Sequence, residues 1–175
     1  MLKDFNLLAT TSRGNEKQMC IELSYLLKEE LGDAAPVVVK TGIRGLVAAK
    51  TVFDPCEVTQ KLRAILQERP YEFRYALRII PVERVVPTDL DEVKRVASEL
   101  AEGIGENETF RVTVEKRFTS LHTRDFIEAA ATGIDRKVDL GNPDKILLIE
   151  VVGGLTGMAL IKSDDVLAVL KEKML

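Results

Sequence analysis

Lys145 to Val152 (KILLIEVV) is a run of almost unbroken apolar character, with β-branched residues at Ile146, Ile149, Val151 and Val152. It is far too short to span a membrane, and it lacks the alternation of a half-solvated strand. It therefore reads as a central strand buried on both faces. Gly153-Gly154 follows and suits a two-residue hairpin, because such turns need positive φ. Leu155 to Ile161 then returns as the neighbouring strand.

The first half of the chain reads as strand, helix, two strands, helix, strand. Asp4 to Thr10 is a short apolar strand that turns at Ser12, Arg13 and Gly14. Met19, Leu23, Leu26, Leu27 and Leu31 fall at helical spacing over 15–31, and Gly32 closes that helix. Val37 to Val39 and Leu46 to Phe53 form two strands around a turn at Gly42 to Gly45. Asp54 caps the next helix, with Pro55 at its first position and Glu57 completing a capping box. Tyr71 to Val86 is expected as one long strand. This βαββαβ order predicts a ferredoxin-like antiparallel sheet with both helices on one face.

Pro87 marks a boundary between domains at 1–86 and 87–175. Asp89 caps a helix carrying Leu90, Val93, Ala97, Leu100 and Ile104. Thr109 to Phe118 is a strand, and Thr123 is the expected N-cap of a helix that ends near Gly133. Ser163 caps a last helix with Val166, Leu167, Leu170 and Met174.

At 175 residues, with 46% hydrophobic and 30% charged, the chain has room for one large domain or two small ones. No signal-like segment or membrane span is present, so the expected compartment is cytoplasmic. Cys20 and Cys56 fit no metal spacing, and His122 is the only histidine, so no zinc site is expected. Nucleophile elbow, phosphate loop and dinucleotide fingerprint are all missing, and neither an active site nor a cofactor is expected.

The net charge is −3, so any affinity for nucleic acid must come from a local patch. Between Arg111 and Lys137 six cations (Arg111, Lys116, Arg117, Arg124, Arg136, Lys137) stand against four acids (Glu115, Asp125, Glu128, Asp135). Lys116 and Arg117 end a strand. Arg124 falls in the first turn of the next helix, where the helix dipole disfavours a cation and a bound phosphate would reconcile the two. The loop from Asp139 to Asp144 is expected to bring Lys137 and Asn142 to the same surface. Arg13, Lys40 and Arg44 are further candidates in turns of the first domain. Aromatic residues make up 5%, with no Trp, which argues against stacking on splayed bases as the main mode.

Residues 110–161, with the basic strand end, the small capped helix, the segment Val138-Asp139-Leu140-Gly141-Asn142-Pro143-Asp144 and the apolar hairpin, resemble a THUMP domain. The helix over 89–104 fits as its leading helix, and residues 1–86 resemble the ferredoxin-like domain that commonly precedes it. The resemblance implies an α+β protein that grips the acceptor end of tRNA. Because the chain ends at Leu175, the stand-alone adaptors of tRNA cytidine acetylation are the nearest likeness. That implies a partner RNA cytidine acetyltransferase, or another tRNA-modifying enzyme, which forms N4-acetylcytidine and itself holds acetyl-CoA and ATP. Lys116, Arg117 and Arg124 are the core of the implied RNA-binding surface, followed by Lys137 and Asn142. A regulatory module binding a small ligand or a protein, and a small tRNA-modifying enzyme, are the alternatives.

Overall fold

The computed structural model describes residues 2–174. Those residues form two five-stranded sheets and five α-helices. The chain divides into two compact units, Met1–Val82 with Asp164–Leu175, and Glu83–Ser163.

In the first unit β1 (Leu7–Thr10) leads to α1 (Glu16–Tyr25), which runs on as a π-helical turn over Leu26–Glu30. β2 (Val37–Lys40), β3 (Leu46–Lys50), α2 (Pro55–Glu68) and β4 (Arg78–Pro81) follow. The strands lie in the order β4-β1-β3-β2, each antiparallel to its neighbour. Alternation puts Leu7, Ala9, Val47, Ala49 and Ile79 on one face, where Met19 and Leu23 of α1 and Val58, Leu62 and Leu66 of α2 pack on them. The Asp54 carboxylate accepts the Glu57 N–H at 3.0 Å, which starts α2 where the sequence places it.

Tyr71 to Val86 is not one strand. The N–H groups of Arg74, Tyr75 and Ala76 donate to the buried Glu22 carboxylate at 2.7–3.2 Å, so they are taken from any ladder. The remainder divides between the sheets. The Val82 N–H donates to the carbonyl of Asn6, just before β1 of the first sheet, and the Glu83 N–H donates to that of Met158 in the second.

The second unit contains β5 (Arg84–Pro87), α3 (Leu90–Leu100), β6 (Thr109–Arg117), α4 (Thr123–Ala131), β7 (Lys137–Val138), β8 (Lys145–Val152) and β9 (Leu155–Ile161). Their order is β5-β9-β8-β6-β7, so the apolar run β8 is the middle strand. β6 and β8 are parallel and joined through α4, while β8 and β9 close antiparallel with Val152 opposite Leu155. Gly153 supplies the positive φ, 60°, that this two-residue turn demands. Val93, Val96 and Ala97 of α3 and Phe126 and Ala130 of α4 cover Leu147, Ile149 and Val151.

The C-terminal segment departs from the sequence expectation. Instead of a last helix in the second domain it forms a 3₁₀ turn (Ser163–Asp165), β10 (Leu167–Ala168) and a short α5 (Val169–Lys173). β10 pairs with β4, Leu167 opposite Ile79, and so becomes the fifth strand of the first sheet. Arg63 of α2 holds Glu172 at 3.0 Å, and the Lys173 ammonium donates to the Phe73 carbonyl. No helix among the described residues is long and apolar enough to cross a membrane.

Candidate nucleic-acid interface

The site grows from the end of β6. Successive strand residues point to opposite faces of a sheet, so Lys116 and Arg117 separate. Lys116 is opposite Val151, on the face that α3 and α4 cover, and its ammonium donates to the Leu121 carbonyl at 3.1 Å. Arg117 takes the other face, where its Nη1 lies 3.0 Å from the carboxylate of Glu150, itself 1% exposed. The expected convergence of three cations is therefore reduced to two. Arg117 is a counter-ion of a carboxylate inside the sheet, and a buried ion pair is costly to break.

Arg124 stays in solvent, with its side chain 86% exposed, and pairs with Glu128 one turn along at 3.2 Å. His122, not Thr123, is the N-cap of α4, and the Asp125 carboxylate accepts the His122 N–H at 2.9 Å. Arg124 thus has Asp125 beside it and Glu128 within reach, and no phosphate is needed to explain its position.

Lys137 and Asn142 do not share this surface. Lys137 is opposite Thr109, at the start of β6, and the loop carrying Asn142 is fixed there by Thr109 and Phe110. Lys116 is seven positions along the strand from Thr109, so at roughly 3.3 Å each the two residues are about 23 Å apart. The loop is tightly built. Asp139 accepts the N–H groups of Gly141 and Asn142 at 3.0 Å each, and Thr109 holds the Asp144 carboxyl below its usual pKa through backbone N–H and hydroxyl bonds. Three of the six clustered cations serve structure. Arg117 neutralises Glu150, Arg111 donates to the Leu140 carbonyl, and Arg136 donates to the carbonyls of Ile104 and Gly105.

In the first unit Lys40 and Arg44 line a hollow of about 260 Å³ with Glu16, Gly42 and Ile43. The Gly45 N–H binds the Glu16 carboxylate at 2.9 Å and, with Lys40 contributing, lowers its pKa. Arg13 lies exposed in the turn after β1, and Thr11 of that turn bonds to the Gly45 carbonyl, so both loops sit at one end of this sheet.

One residue at the site departs from the sequence expectation, which made it the last residue of the strand. Phe118, the first residue past β6, is 80% exposed and has φ 55°. Positive φ at a residue other than glycine occurs nowhere else among the described residues. Nothing in an F-T-S triplet announces that conformation.

These features define an α+β protein of two units, the second a βαβ-containing sheet with exposed cations at a strand end. Residues 87–160 match the THUMP domain family, a module associated with tRNA binding. An uncharacterized protein of Methanocaldococcus jannaschii is 26% identical over 152 residues, covering 84% of this chain and 39% of the relative. Among solved structures, PH1313 of Pyrococcus horikoshii superposes with a TM-score of 0.62 at 19% identity, over 91% of this chain and 55% of its own. A 4-thiouridine synthetase solved with RNA and ATP superposes with a TM-score of 0.54 at 15% identity, over 91% and 42%. Both structures share the fold. The chain spans about two fifths of the length of the curated relative it matches.

Proposed function

We propose that this chain binds the acceptor end of tRNA and presents it to a tRNA-modifying enzyme, with no catalysis and no cofactor of its own. The THUMP match over residues 87–160, with Lys116 exposed near the end of β6 and Arg124 exposed in the first turn of α4, carries this reading. The strand order β4-β1-β3-β2 with both helices on one face supports a ferredoxin-like first domain acting beside it. The RNA in the solved 4-thiouridine synthetase complex supports RNA as the ligand. The finer proposal is a cytoplasmic adaptor whose partner is an RNA cytidine acetyltransferase forming N4-acetylcytidine, with the acetyl-group chemistry held by that partner.

Because the whole chain is acidic, binding must rest on a few local cations and weaken steeply with salt. Titration of tRNA between 50 and 200 mM salt tests this. Reversal of charge in Lys116→Glu with Arg124→Glu is expected to weaken binding. It should also flatten the slope of log affinity against log salt by about 0.9 for each duplex phosphate that is no longer neutralised. An unchanged affinity and slope would place the RNA elsewhere. Acetylation of tRNA by the chain alone, supplied with acetyl-CoA and ATP, would overturn the division of labour.

A further inference from the structure

Phe118 combines two unfavourable features. A residue with a Cβ is strained at positive φ. A ring that is 80% exposed also leaves its apolar surface in water. The other phenylalanines behave differently: Phe5, Phe73, Phe110 and Phe126 are buried to 1% exposure or less, and Phe53 packs against the first core. The conformation is imposed, not loose. The Gly153 N–H donates to the Arg117 carbonyl at 2.8 Å, the last rung of the parallel ladder, and anchors the residue before Phe118 in the sheet. The Thr119 hydroxyl accepts the Leu121 N–H at 3.2 Å, and Lys116 donates to the Leu121 carbonyl at 3.1 Å. Three hydrogen bonds therefore hold residues 117–121, the loop that carries the exposed Phe118 ring from the end of β6 to the first turn of α4, where Arg124 is exposed.

We propose that Phe118 is a stacking platform for an unpaired nucleobase of the bound RNA, next to phosphates that Lys116 and Arg124 attract; this rests on the RNA-binding reading above. A ligand that offers a flat apolar face one nucleotide from an anionic backbone matches an exposed aromatic ring on a loop flanked in the chain by two exposed cations. Inside a duplex each base face is already covered by its neighbour, so the ring reaches one only at an unpaired or terminal nucleotide. The scarcity of aromatic residues in the chain does not exclude this mode, because a single well-placed ring is enough for one base.

The test uses the full 175-residue chain and two RNA hairpins, one blunt and one with a four-nucleotide single-stranded 3′ extension. The extension carries 2-aminopurine as a fluorescent base. The wild type is expected to bind the extended hairpin more tightly than the blunt one, by a margin between about 5-fold and 150-fold, the range of base–aromatic stacking. Its binding should also quench the fluorescent base. Phe118→Gly, which removes the ring and suits the positive φ, is expected to bind the two RNAs equally and without quenching, at undiminished thermal stability. Phe118→Tyr should restore the margin. A glycine variant that keeps both margin and quenching overturns the proposal, and leaves the RNA-binding reading standing if blunt RNA still binds in a salt-dependent way. Absence of any RNA binding by the wild type overturns both.

Discussion

Asp33 shows how one buried carboxylate is made tolerable. Only 1% exposed, it follows α1 and its π turn, and it accepts the Thr51 hydroxyl at 2.6 Å, the Val52 N–H at 3.1 Å and the Ala35 N–H at 3.1 Å. Burial alone would push its pKa up, yet these donors outweigh it and hold the carboxyl below its ordinary value. A carboxyl whose pKa is depressed on folding adds stability at pH above its unfolded pKa, about 3.9, and that stability is lost as pH falls through the lower folded value. Urea unfolding of the wild type should therefore lose stability below about pH 4, and Asp33→Asn, weaker at pH 7, should lose less of it there. Arg117 and Glu150 pose a second test at this scale. Removing one partner of a buried pair costs about 3–5 kcal/mol, whereas replacing both with apolar residues is often neutral. Arg117→Met is thus expected to destabilise by that amount, and Arg117→Met with Glu150→Leu to recover most of it in the same measurement. A single variant within about 1 kcal/mol of the wild type would show that the pair holds nothing. The practical consequence is that loss of RNA binding on changing Arg117 reports on folding before it reports on RNA recognition.

Among the elements, β10 is the smallest that matters and the one the sequence conceals. Val166, Leu167, Leu170 and Met174 keep helical spacing, so a single-chain pattern reads the segment as helix. Pairing Leu167 with Ile79 decides otherwise, because β4 would otherwise present an unpaired edge to solvent. Leu167 is fully buried in the first core. Leu167→Ala should therefore cost about 2–5 kcal/mol in urea unfolding, the range for a leucine cut back in a packed core. A shift under about 1 kcal/mol would mean that the terminal strand is frayed in solution. The stretch from Tyr71 to Ala76 teaches the same lesson from the other side. Its composition suits a strand, but Glu22, far away in sequence, takes its N–H groups. Elements with strong local signals were legible: Asp54-Pro55 and Asp89 cap their helices, and Gly153 turns its hairpin.

For the whole molecule, a net charge of −3 means that only a small part of the surface can attract an anion. Six cations in one stretch looked like one patch, and the sheet sorted them. Arg117 went to the opposite face, Lys137 to the far end of β6, and Arg111 and Arg136 to loop carbonyls. Composition and short-range order thus determined the α+β class, the order of most elements, the central place of KILLIEVV and the region in which to look for a site. Those features depend on periodicity, caps and turns that lie within a few residues of one another. What the tertiary structure alone decided is which sheet each short strand joins, where the two units divide, and which charges stay in solvent. Strand pairing and ion pairing join residues whose separation in sequence is 33 for Arg117 and Glu150 and 88 for Leu167 and Ile79. No local pattern records such partners. The hairpin over Lys145–Ile161 keeps its central place, and the N–H of its Gly153 anchors Arg117, the residue before the exposed Phe118.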